Sequence, residues 1–90
     1  MVKERARPEP ENGQDSSNAS SLVVYNDDVN TFDHVIETLI DVCKHDQLQA
    51  EQCTMIIHHR GKCAVKSGCK ESLEVLSEKI RERDITAKVE

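Results

Sequence analysis

Between Phe32 and Cys43 the apolar side chains recur as Phe32, Val35, Ile36, Leu39, Ile40 and Cys43. This i, i+3, i+4, i+7, i+8, i+11 spacing marks one face of a helix, and that face must be buried against something. The requirement is severe for a chain of 90 residues, which has room for one small domain. Residues 1–20 cannot supply the covering surface, because only Met1, Val2, Ala6 and Ala19 are apolar among them. Such a segment does not bury enough area to offset its ordering entropy, and it reads as a flexible extension. The folded domain is therefore expected over residues 21–90. Its core must be aliphatic, since Tyr25 and Phe32 are the only aromatic residues.

Other elements follow from pattern and punctuation. The run Leu22 to Tyr25 is a short strand that ends in the polar cluster Asn26-Asp27-Asp28. Asn30 or Thr31 caps the helix, and Asp33 in its first turn favours the helix dipole. After the break at residues 44–47, Ala50, Cys53 and Ile57 predict the inward face of a second helix, flanked by Met55 and Ile56. That helix ends at Gly61, which can adopt the left-handed conformation, just after three basic residues. Cys63, Val65 and Ser67 alternate with Ala64 and Lys66 as a second strand, which Gly68 turns. Leu73, Leu76 and Ile80 mark a third helix, and Ile85, Ala87 and Val89 a third strand. The order β-α-α-β-α-β describes a two-layer α+β domain, three strands with three helices on one face. The strands joined through the third helix can be neighbours or can hold another strand between them.

Composition excludes several functions. A net charge of −5, with no basic cluster interleaved with aromatics, argues against nucleic acid as a partner. The apolar runs are too short to span a membrane. No apolar segment follows the charged N-terminus as in a secretory signal, and a cytoplasmic location is expected. Cys43, Cys53, Cys63 and Cys69 show no CxxC pair and no HxxxH companion. They read as buried free thiols rather than as metal ligands or disulfides, so neither metal nor cofactor is expected.

No phosphate loop, nucleophile elbow or HExxH motif is present. In an extended chain Asp27 and Asp28 point to opposite sides and cannot form a facing acid/base pair. His58 and His59 diverge by about 100° on a helix. An enzyme is thus not expected. Binding is better supported, because Asn26 and Asp27 offer acceptor oxygens near a helix start. A two-helix hairpin can return His58 toward them. Carboxylate, amide oxygen and neutral imidazole together suit a small cation such as a free amino terminus. Taken singly, each of these residues also serves as a turn residue, a cap or a partner for the helix dipole.

The block NDD, the first apolar helix residue four positions beyond Asp28, then IIH ending at His58 and Gly61-Lys62, resembles the ClpS adaptor family. The likeness spans about residues 21–90. It implies a non-enzymatic adaptor that binds proteins with a large hydrophobic first residue (Phe, Tyr, Trp or Leu) and delivers them to a Clp-family AAA+ unfoldase of the ClpA or ClpC type. Carried over residue by residue, it implies that Asn26, Asp27 and His58 hold the α-amino group. Asp28, Asn30, Phe32, Thr54, Ile57 and Ile85 would surround the first side chain. His59 and Glu71 are implied on the unfoldase-facing surface, and the N-terminal extension in delivery. The chain departs from the family pattern in reading Val29-Asn30-Thr31-Phe32 after NDD, where an aromatic and Thr-Pro-Met are common. Phe32 and Thr54 each stand where the family commonly has a Met, which reshapes the slot. The third helix is also shorter. The alternative is a structural or assembly domain of similar fold, like the ribosomal stalk protein's C-terminal domain, that binds a protein helix.

Overall fold

A computed structural model describes residues 19–90. Its elements are β1 (Ala19–Tyr25), α1 (Phe32–Cys43), α2 (Gln47–Arg60), β2 (Lys62–Cys69), α3 (Lys70–Arg81) and β3 (Ala87–Val89). The sheet order is β2-β1-β3, and both outer strands run antiparallel to β1. β2 and β3 are thus parallel to each other with β1 between them, a split β-α-β unit through α3. The helices cover the sheet face that carries Leu22, Val24 and Val65, and these join Leu39, Leu73 and Ile80 in one aliphatic core. Val23 and Tyr25 alternate to the opposite face, where Lys62 and Lys88 lie over the Tyr25 ring.

The expected α+β order holds, with shifts at the boundaries. Ala19 and Ser20, assigned to the extension by composition, pair with Cys69 and Gly68 as the first rungs of β1. Two small polar residues carry no strand signal of their own, so the neighbouring strand recruits them. The rest of the expected extension, residues 1–18, lies outside the described residues. Gly68 does not turn the chain; it is paired in β2, and Cys69 at the strand end is the N-cap residue of α3. A bulge in β2 explains why simple alternation misreads it. Val23 faces Ala64 while Leu22 faces Lys66, which leaves Val65 unpaired and 5 % exposed on the core side. β3 is shorter than expected, because Asp84 turns the chain at φ 66° and Ile85 packs into the core ahead of the strand.

The helix ends obey local chemistry. Thr31, not Asn30, caps α1, its hydroxyl accepting the His34 N–H at 3.1 Å. Lys44 closes α1 in the left-handed region at φ 62°. Asp46 caps α2, accepting the Gln49 N–H at 2.7 Å, and Gly61 ends it at φ 92° as its flexibility allows. Ala50 and Ile57 are buried and Cys53 half-buried, as their spacing requires. Of the cysteines, Cys43 is buried, Cys53 and Cys63 half-buried and Cys69 exposed; all four are free thiols. Burial does not extend to Cys69, because its strand ends at the domain's edge.

Candidate functional site

The site is assembled by two tethers. At the end of β1 the Asn26 N–H donates to the Gly61 carbonyl at 2.9 Å. This single backbone bond brings the last turn of α2, and so His58, back to the polar cluster after β1. The second tether is Asn30, whose Nδ2 donates both to Asp27 Oδ2 at 2.7 Å and to the Asp84 carbonyl at 2.8 Å. The loop after β1 is thereby fastened to the turn that precedes β3. His34 adds a further bond to that turn, donating from Nε2 to the Arg83 carbonyl at 2.9 Å.

Asp27 organises the loop from within. Its Oδ1 accepts the backbone N–H groups of Val29 and Asn30, each at 2.9 Å. The Asn30 N–H is the main reason its carboxyl is held below the usual carboxylate range, helped by the Val29 N–H, the Asn30 amide and His34 against a desolvation cost. With three of roughly four acceptor positions used, Asp27 keeps its charge and one acceptor direction for a ligand. It is therefore a structural residue as well as a candidate ligand contact, a double role the sequence pattern does not reveal.

Between this loop and α2 lies a cavity of about 330 Å3. Asn26, Asp27, Asp28, Asn30, Phe32, Thr54, Ile57 and His58 all line it. Eight of the nine residues marked for the amino group and the slot are thus gathered in one place. Ile85 is the exception: it is 3 % exposed, belongs to the core and does not reach the cavity wall. The turn at Asp84 directs it inward. His59 and Glu71, assigned to a partner surface, also lie outside the cavity. His59 packs edge-on against the His58 ring with centroids 5.3 Å apart, and Glu71 is in the first turn of α3. Two further lining residues, Thr31 and Val35, carry no site role in the sequence pattern. Val35 carried a usable signal, as it falls one helical turn from Phe32 on the same face.

The cavity lining combines two chemistries. Val35 and Ile57 are buried apolar side chains, and Thr54 joins them with its hydroxyl donated to the Ala50 carbonyl at 2.8 Å. With the hydroxyl donated within its own helix, Thr54 leaves no free donor for a ligand. Asp27 and Asp28 add negative charge to the lining, and no Lys or Arg takes part in it. Phe32 stands at the rim, 40 % exposed, its ring packed edge-on against His58 at 5.1 Å and 70°. Such a site suits a ligand with an apolar body and a cationic end. Among the described residues no three His, Cys, Asp or Glu side chains gather as a metal would require, and no helix is long and apolar enough to cross a membrane.

Fold and cavity define a small α+β domain whose pocket is lined by both acidic and apolar side chains. Comparison with known proteins places it further. The chain belongs to the ClpS family, described as the ATP-dependent Clp protease adaptor protein ClpS, whose model matches residues 15–88. The resemblance carried by NDD, IIH and Gly61-Lys62 is thus borne out. The fold is similar to that of Agrobacterium tumefaciens ClpS2 bound to L-phenylalaninamide, with a TM-score of 0.77 at 16 % identity. That match covers 81 % of this chain and 95 % of the other. No curated protein sequence matches the chain.

Proposed function

We propose that the protein is an N-degron adaptor, which receives the first residue of a substrate protein in the cavity between the Asp27 loop and α2. The substrate's α-ammonium meets Asn26, Asp27 and His58, and its first side chain enters the slot of Val35, Thr54, Ile57 and Phe32. Asp28 and Asn30 complete the wall. The observation that carries this reading is that carboxylates and apolar side chains line one small cavity with no basic side chain of Lys or Arg among them. Family membership and the fold shared with a protein bound to L-phenylalaninamide support it. Substrates are then handed to a Clp-family unfoldase of the ClpA or ClpC type in the cytoplasm, with residues 1–18 assisting delivery and His59 and Glu71 facing the unfoldase. The protein acts by binding and carries no catalytic role of its own.

The energetics fit an adaptor that must release its cargo. Burying one large side chain contributes roughly 1.5–3 kcal/mol, and each hydrogen bond to the ammonium about 1.5–3 kcal/mol. After the cost of association, binding near micromolar, about −8 kcal/mol, is expected. The test is a titration with peptides that differ only in the first residue, Phe, Tyr, Trp, Leu, Ile or Arg, beside an N-acetylated Phe control. Phe is expected to bind and acetyl-Phe to lose most of the affinity, because acetylation removes the charge. Equal binding of the two would overturn the reading.

A further inference from the structure

Two of the free thiols meet where α2 packs on β2. Cys53 lies between Ala50 and Ile57 on the buried face of α2, and it packs against the aliphatic core. Cys63 is paired with Val24 in the sheet, so its side chain points to the same helix-covered face as Val24. It too packs against the core. The two thiols hydrogen-bond to each other. Cys63 Sγ donates its own hydrogen to the Ala64 carbonyl at 3.5 Å, so the bond between the thiols is donated by Cys53.

This setting differs from that of a buried structural thiol. Cys53 and Cys63 are half-buried, whereas Cys43 is 2 % exposed. A small oxidant can therefore reach the pair but not Cys43. Burial, with Cys63 and then Cys43 adding to it, pushes the Cys53 thiol up to about 11. Cys53 thus keeps its proton at neutral pH, which leaves Cys63 as the sulfur that attacks first. The segment between them carries Ile57 and His58 of the cavity lining, and Gly61, whose carbonyl holds the Asn26 N–H.

We infer that Cys53 and Cys63 form a redox-sensitive pair, which hydrogen peroxide converts to a disulfide joining α2 to β2. The Cys63 thiolate attacks one peroxide oxygen; an S–O bond forms, the O–O bond breaks, and the departing hydroxide takes up the thiol proton as water. Cys53 then attacks the sulfenic sulfur of Cys63. The S–S bond forms as the S–O bond breaks, and the Cys53 proton leaves with that hydroxide as a second water. Two thiols are oxidised and one peroxide is reduced to two waters. Thiol exchange in a reducing compartment reopens the bond, so the link is transient there. While closed, it confines the end of α2 that carries His58.

Peroxide treatment of the native full chain tests the pairing, followed by alkylation with N-ethylmaleimide, trypsin digestion and mass spectrometry. Two of the four thiols are expected to escape alkylation, and tryptic peptides 45–60 and 63–66 to be joined until dithiothreitol separates them. The thermal midpoint of the oxidised chain is expected to rise. Cys69→Ser, at an exposed position, should keep the link, and Cys53→Ser and Cys63→Ser should each abolish it. A parallel oxidation in urea guards against a serine variant that fails to fold. In the unfolded chain Cys63 and Cys69, six residues apart, should pair preferentially because shorter loops close more readily. Four alkylatable thiols after native oxidation, overoxidised Cys63 without a link, a lowered thermal midpoint, or the same pairing with and without urea would each overturn the inference.

Discussion

Asp27 already holds three hydrogen bonds within its own loop, and this decides how it must be tested. Asp27→Ala removes the charge and the acceptors together, so it loosens the loop as well as the site. Asp27→Asn keeps an acceptor oxygen and removes the charge. It is expected to lower Phe-peptide affinity at least about tenfold, through loss of charge-assisted bonding to the ammonium, with a modest fall in thermal midpoint at neutral pH as the loop's own charge-assisted bonds weaken. An unchanged affinity by calorimetry would exclude Asp27 as the ammonium partner. Acidity offers a second readout. The carboxyl is lowered from 3.8 in the fold, chiefly by the Asn30 N–H. Its stabilising effect is therefore present above that value and is lost as pH falls through the lower folded value. The stability gap between the native protein and Asp27→Asn should close in acid denaturation below pH 3.8. Thr54 is the complementary case on the α2 side of the lining. Thr54→Met inserts a long side chain into a cavity of about 330 Å3. Peptides beginning with Trp should lose more affinity than those beginning with Leu, and equal losses would show that Thr54 does not bound the slot.

At the scale of elements, the site depends on where two helices begin and end. Thr31 starts α1 beside the Asp27 loop, and Gly61 ends α2 with its carbonyl holding the Asn26 N–H. Both devices are legible in the sequence, because a hydroxyl before an apolar stripe and a glycine after basic residues have few other uses. Gly61→Ala is expected to cost about 1–2 kcal/mol through the left-handed backbone alone, since no atom lies within 4 Å of the added methyl group. Because Gly61 also carries the tether, peptide affinity should fall with stability, and a destabilised variant with full affinity would show the tether to be dispensable. Less legible were β1's first residues and the interior of β2. Ala19 and Ser20 have no strand pattern, and the bulge at Val65 breaks the period on which strand reading relies. Asn30 lines the cavity. Its second role, bridging Asp27 to the Asp84 carbonyl, depends on a residue 54 positions away that no local pattern can supply.

For the whole molecule, one aliphatic core supports the site, since Val35 and Ile57 belong to both. Leu39 is 1 % exposed and belongs to the cluster that joins α1 to the sheet and to α3. Leu39→Ala is expected to cost about 2–5 kcal/mol, a large fraction of the 5–15 kcal/mol typical of a domain. Denaturant unfolding measures this directly, and a loss under about 1 kcal/mol would mean the core collapses around the deletion. The apolar stripe of α1, the caps, the aliphatic core and the β-α-α-β-α-β order follow from the residues themselves, because periodicity and helix ends are governed by neighbours in the chain. The motif blocks likewise told which family the chain belongs to. Contacts between distant segments had to come from the fold. β1 lies between β2 and β3, Ile85 packs in the core, and His45 is buried against β2. Each depends on long-range packing and hydrogen bonding, whose energies are comparable for several arrangements until the whole core closes on one of them.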